Sequence, residues 1–130
     1  MHKDYYTLDN GRQIVDYIYT AHLGFSYGNA AKYLCRASRK PGESGESDLN
    51  KALTYVLSAN EEFSFIQRVA LKLYNLLTFN FNDQFSEHHL RDVLCSIIRF
   101  DRPTKVARKI VKYAKWRGIP IKEEFSKYDY

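Results

Sequence analysis

Three cations at helical spacing, Lys32, Arg36 and Arg39, share one arc of a helical pattern with Gly28, and Asn29 lies at its edge. Side chains three and four residues apart on a helix are neighbours, so this row repels itself in water. It calls for an anion, supplied either by carboxylates of the next helix or by the phosphates of a ligand. A glycine near the start of such a helix lets an anion approach backbone N–H groups, where phosphate is best received. On the plainer reading the row is a solvated face and Asp48 pairs with one of its members.

A second cationic group lies near the other end of the chain. Lys105, Arg108, Lys109, Lys112 and Lys115 occupy one side of a helical pattern with Trp116 among them, and Val106, Ile110, Val111 and Tyr113 occupy the other. An aromatic ring among cations suits a partner surface or a single-stranded nucleic acid, with stacking beside phosphate contacts; alternatively Trp116 folds onto a neighbouring helix. Metal and nucleophile signals are weak by comparison. His88 and His89 are adjacent and point apart on a helix, and Cys35 and Cys95 sit singly in apolar patterns, which predicts buried thiols and no metal site. The carboxylates of the first half, Asp16, Glu43, Glu46 and Asp48, are the set an all-α nucleotide pyrophosphohydrolase would need, but two of them fall in a Gly-rich loop. No GxxxxGK[ST] run occurs, which excludes ordinary P-loop chemistry.

The elements that must carry these residues are helical. Ile14, Ile18 and Ala21 mark a first helix between Asn10 as cap and Gly24 as stop. Ser26 caps a second through Ala30, Tyr33, Leu34 and Ala37. The stretch RKPGESGES forms a loop, and Glu46 or Ser47 opens a third helix through Leu49, Ala52, Leu53 and Val56. Glu61 to about Phe79 reads as a long amphipathic strut, Ser86 caps a fifth helix, and Pro103 opens a last one that Gly118 and Pro120 end. The prediction is an all-α fold of about six helices in one compact domain, with two small lobes, 1–60 and 61–130, as the alternative.

Charge is divided unevenly between these halves. Residues 1–60 carry seven Lys/Arg against six Asp/Glu, whereas 61–130 carry thirteen against nine, and no acid falls between Arg102 and Arg117. The net charge of +5 favours an anionic partner. Eleven tyrosines and eight phenylalanines offer core bulk, stacking surfaces or a homo-oligomer interface. No apolar run spans a bilayer and the N-terminus lacks a secretory signal, so the expected location is the cytosol, with no membrane partner.

Residues 11–57 also carry a recognisable series: Gly24-Phe25, Gly28-Asn29, Lys32-Tyr33-Leu34, Arg36, Arg39-Lys40-Pro41-Gly42, Asp48-Leu49, Lys51-Ala52 and Tyr55. This series resembles the SaV-like family of small phage proteins. Ser38, Ser47 and Asn50 depart from its usual pattern of glycine, acid and lysine. The resemblance implies a phage origin and work in the cytoplasm of an infected bacterium. It offers two functional leads, a deoxynucleoside monophosphate kinase without a P-loop and a protein that engages a host abortive-infection defence. On the kinase lead, Gly28, Asn29, Lys32, Arg36, Arg39, Lys40 and Lys51 hold phosphate, and Tyr33 or Tyr55 stacks on a base. Arg36 and Asp48 form the candidate catalytic pair, Asp48 positioning a magnesium ion brought with the nucleotide or orienting an arginine.

Overall fold

The helices of this chain differ in how their first N–H groups are satisfied. The computed structural model describes residues 4–39, 42 and 44–130. Among these the chain forms α1 (Ile14–Thr20), α2 (Gly24–Arg39), α3 (Glu46–Glu62), α4 (Phe65–Thr78), α5 (His88–Ile98) and α6 (Pro103–Arg117), with 3-10 turns at Asp4–Tyr6 and Glu123–Tyr128. An isolated bridge between Thr7 and Gln13 is the extended pairing among the described residues, and the predicted all-α class of about six helices holds.

Several expected boundaries move, each for a chemical reason. α1 starts after Gln13, whose backbone N–H donates to Asp16 at 3.0 Å, rather than at Asn10. Ser26 does not cap α2, because the helix already begins at Gly24. Glu61 and Glu62 close α3 instead of opening α4, which is capped by Ser64: its hydroxyl accepts from Gln67 N, and the Gln67 side chain accepts from Ser64 N. Glu87, not Ser86, caps α5 by accepting from His89 and Leu90 N–H. α6 has Pro103 in its first turn and Gly118, at φ 72°, as its left-handed stop.

The core is shared between the two halves of the chain. α2 and α3 pack along each other, α6 lies on α3, and α5 contacts both α6 and α2. Leu34, Leu49, Leu53 and Val56 from the first half meet Leu94, Ile97, Val106 and Ile110 from the second in one buried cluster. Long-range hydrogen bonds add to this: Tyr27 donates to the Asp101 carbonyl at 2.5 Å, Arg117 to the Ala37 carbonyl at 2.6 Å, and Lys122 N to Asn50 Oδ1 at 3.0 Å.

α4 is attached differently. Its one buried residue is Asn75, whose amide donates to the Ala21 and Ile98 carbonyls at 2.9 and 2.8 Å and so serves the C-terminal ends of α1 and α5 together. Three residues earlier, Lys72 reaches the buried Asp101 carboxylate at 2.7 Å, and Ser96 donates to the other oxygen of that group at 2.6 Å. The polar side of α4 therefore faces the protein, while Phe65, Ile66, Leu73 and Leu77 face outward. The amphipathic pattern is real, but a strut buried by its apolar face is not what it makes.

Candidate functional site at the start of α3

α3 follows Gly45, its N-terminal flanking residue, whose φ of 91° suits glycine. A side chain there would also meet the Ala37 backbone and Cβ at 3.0–3.4 Å. The first turn of α3 then opens on a cavity of about 670 Å³ between α2, α3 and the segment after α6. Arg36, Lys51 and Lys122 supply its cations and Glu46 and Asp48 its carboxylates, with Ser44, Ser47, Asn50 and Thr54 as neutral polar lining. The volume suits a nucleotide-sized ligand.

Asp48 is buried and stands 3.4 Å from Arg36 Nε, an ion contact without hydrogen-bond geometry, so both atoms keep unfilled hydrogen-bonding capacity. Tyr5 covers the same guanidinium, its ring centroid 5.4 Å away. A hydrogen bond with Tyr6 raises the Arg36 pKa above its ordinary value, and Asp48 reinforces this against the opposing effect of burial. Arg36 is therefore a fixed cation that can bind and orient a ligand but cannot exchange a proton.

The remaining members of the predicted row lie outside the cavity. Lys32 lies over the Tyr6 ring at 5.7 Å, and Arg39 pairs with Asp9. Asn29 donates back to the Phe25 carbonyl at 2.8 Å within its own helix. Lys40 lies outside the described residues. Tyr33 and Tyr55 stack on each other with planes 9° apart, while Lys51 approaches the Tyr33 ring at 5.3 Å and Phe25 meets Tyr55 edge-on. Of the predicted set the structure brings together Arg36, Asp48 and Lys51, and it adds Lys122, Asn50 and Thr54. Lys122 is over seventy residues from Arg36 in sequence and no local pattern marks it. Asn50, one of the departures from the family pattern, ties it in by accepting from its backbone N–H.

Gly28 sits apart from the cavity. It lies well inside α2, buried, where an added Cβ would come 3.1 Å from Ile18 Cγ2, so its missing side chain serves the packing of α1 on α2 rather than the approach of an anion. The start of α2 is also taken. Both oxygens of Glu62 accept from Phe25 and Ser26 N–H at 2.7 Å, which fills the position a phosphate would use.

The basic face of α6 is largely neutralised by acids from other elements. Lys109 meets Asp92 at 3.0 Å, Lys115 meets Asp129 at 3.1 Å and Lys105 approaches Asp101 at 3.5 Å. Arg108 lies 4.1 Å from the Tyr130 ring centroid, and Lys112 has no ion pair or hydrogen bond among the described residues. Trp116 remains half exposed but stacks on His89 at 3.7 Å, so one face of its indole is covered. Burial pushes the Cys35 thiol up to about 12 against the opposing charge of Arg39, and it raises the Cys95 thiol as well, so neither is a nucleophile near neutrality. Asp16 caps α1, Glu43 lies outside the described residues, and among the described residues no three His, Cys, Asp or Glu side chains gather to hold a metal ion. No described helix is long and apolar enough to cross a membrane.

No curated protein and no solved structure matches the chain. A family model described as a protein of unknown function (DUF3310) matches residues 3–57, the stretch that contains α1, α2 and most of α3.

Proposed function

We propose that the cavity at the start of α3 binds the phosphate of a nucleotide. The observation that carries this reading is the convergence of Arg36, Lys51 and Lys122 on the first turn of a seventeen-residue helix, beside a buried Asp48 that only partly satisfies Arg36. The phage resemblance narrows the ligand to a deoxynucleoside phosphate and the chemistry to transfer of a phosphoryl group from a nucleoside triphosphate to a monophosphate. In that reaction Arg36 and the two lysines offset charge on the phosphate oxygens. Asp48 and Glu46 are two carboxylates, enough to assist a magnesium ion that arrives on the phosphates but too few to form a resident cage.

Calorimetry against deoxynucleoside mono- and triphosphates with magnesium tests the site. Wild type should bind, and Arg36→Ala and Lys51→Ala should each weaken binding at least tenfold. Lys51 is exposed, so its loss leaves the core intact and keeps the test valid if Arg36→Ala unfolds. Affinity unchanged in Lys51→Ala, or no binding across the panel, would remove the site.

A second reading is a non-enzymatic phage protein that engages a host defence protein or nucleic acid through α6. Lys112, which has no ion pair among the described residues, and the open face of Trp116 favour it. It requires binding to a labelled single strand that falls with salt and disappears when Lys109, Lys112 and Lys115 are replaced by alanine.

A further inference from the structure

We infer that the outward face of α4 is a self-association surface, covered in solution by the same face of a second copy of this chain. The helix is anchored by its polar side through Asn75 and Lys72, so its orientation is fixed rather than incidental. Ile66, Val69, Leu73 and Leu76 recur at alternating three- and four-residue steps, the spacing of a seam that packs against another helix. Phe65 and Leu77 flank that seam at 73% and 86% exposure, and Ile66 between them is 78% exposed. These six side chains together leave on the order of 800 Å² uncovered, above the few hundred Å² ordinary for a monomer's largest apolar patch and close to one partner's share of a stable dimer.

The charge pattern selects the occupant. The two charged residues of α4, Arg68 and Lys72, are partly buried and off the seam, Lys72 turned to Asp101, so the exposed seam carries no charge. The nearest cations, Arg68, Lys72 and Arg102, border only its edge at Phe65 and Val69, so a charged partner would find nothing along the seam itself to pair with. A second copy of a chain with net charge +5 can approach where the surface is uncharged, and a seam that is apolar along its length is complementary to itself across a two-fold axis.

Sedimentation equilibrium from about 1 to 100 µM tests the inference. Wild type should associate to a dimer or a multiple of it, and Ile66→Glu/Leu73→Glu should sediment as a monomer with unchanged far-UV circular dichroism. Leu77→Lys, at the most exposed position, should weaken association at least tenfold and provides the check if the double variant misfolds. A monomeric wild type across that range, association that survives Leu77→Lys undiminished, or binding of the monomer to lipid vesicles in place of self-association would overturn it. The outcome is independent of nucleotide binding, since no residue of the seam lines the cavity at α3.

Discussion

At the scale of single residues, the buried carboxylate of Asp101 does most to join separate parts of the chain. Burial alone would raise its pKa, but hydrogen bonds from Lys72 and Ser96 and the charge of Arg99 outweigh that and bring it down to about 2. A carboxylate held below its unfolded value near 4 contributes stability that is fully present above that pH and is lost as pH falls towards 2. The contribution is at most about 2 kcal/mol. In urea unfolding measured across a pH series, wild type should therefore lose this increment between about pH 4 and pH 2, whereas Asp101→Asn should lack it. Parallel pH profiles for the two proteins would show that the carboxylate is not held as described. Asp48 is a contrasting case: its partner Arg36 contacts it without a hydrogen bond, the incomplete satisfaction expected where a ligand is to complete the site.

At the scale of elements, helix ends decide what is available to a ligand. The start of α2 is closed by Glu62, and Gly24, at φ 75°, is what permits the closure, since a Cβ there would come within 2.6 Å of both Glu62 Oε2 and the Phe63 ring. Gly24→Ala should lower stability by at least about 1–2 kcal/mol from the left-handed backbone alone, read as a shift in the urea midpoint. A midpoint that does not move would mean the helix start relaxes freely. Asn75→Ala should cost about 1–3 kcal/mol, because the Ala21 and Ile98 carbonyls lose their donor; retention of full stability would show that α4 is not held through this amide. The existence and type of the helices were legible because apolar spacing repeats over several turns, as from Ile66 to Leu77. Helix ends were legible only in part: Glu46 opens α3 and Pro103 and Gly118 bound α6 as expected, whereas the starts of α1, α2, α4 and α5 lie elsewhere. Ser26 has the composition of a cap, but the group that satisfies the first turn of α2 arrives from Glu62, far along the chain.

At the scale of the whole molecule, the same division between local and distant information explains the site. Arg36, Asp48 and Lys51 could be singled out because they fall within one short stretch of charged helix and loop, and the cavity does gather them. Lys32 and Arg39 belonged to the same arc, yet Tyr6 and Asp9 occupy them, and spacing along α2 carries no information about a preceding turn folding back over it. The acids that neutralise α6 come from Asp92, Asp101 and Asp129, so a run without a local acid became a mostly paired surface.

These long-range ties bear on whether the halves 1–60 and 61–130 can fold apart. α3 packs on α6, Tyr27 donates into the α5–α6 connection, and the Lys122 backbone N–H is held by Asn50, so much of the first half's apolar surface is covered only by the second. A chain whose core spans both halves should unfold as one cooperative unit. Trp116, stacked on His89 between α6 and α5, reports on the second half by fluorescence, whereas far-UV circular dichroism reports on all the helices. The two signals should give coincident urea transitions with the same midpoint and slope. The fragment 1–60, which contains the whole region matched by the family model, should show no cooperative transition by itself, because Leu49, Leu53 and Val56 lose the cover of α6. Separate transitions, or a fragment that unfolds cooperatively, would instead identify the first sixty residues as an autonomous unit and move the Lys122 contribution out of the site's essential structure.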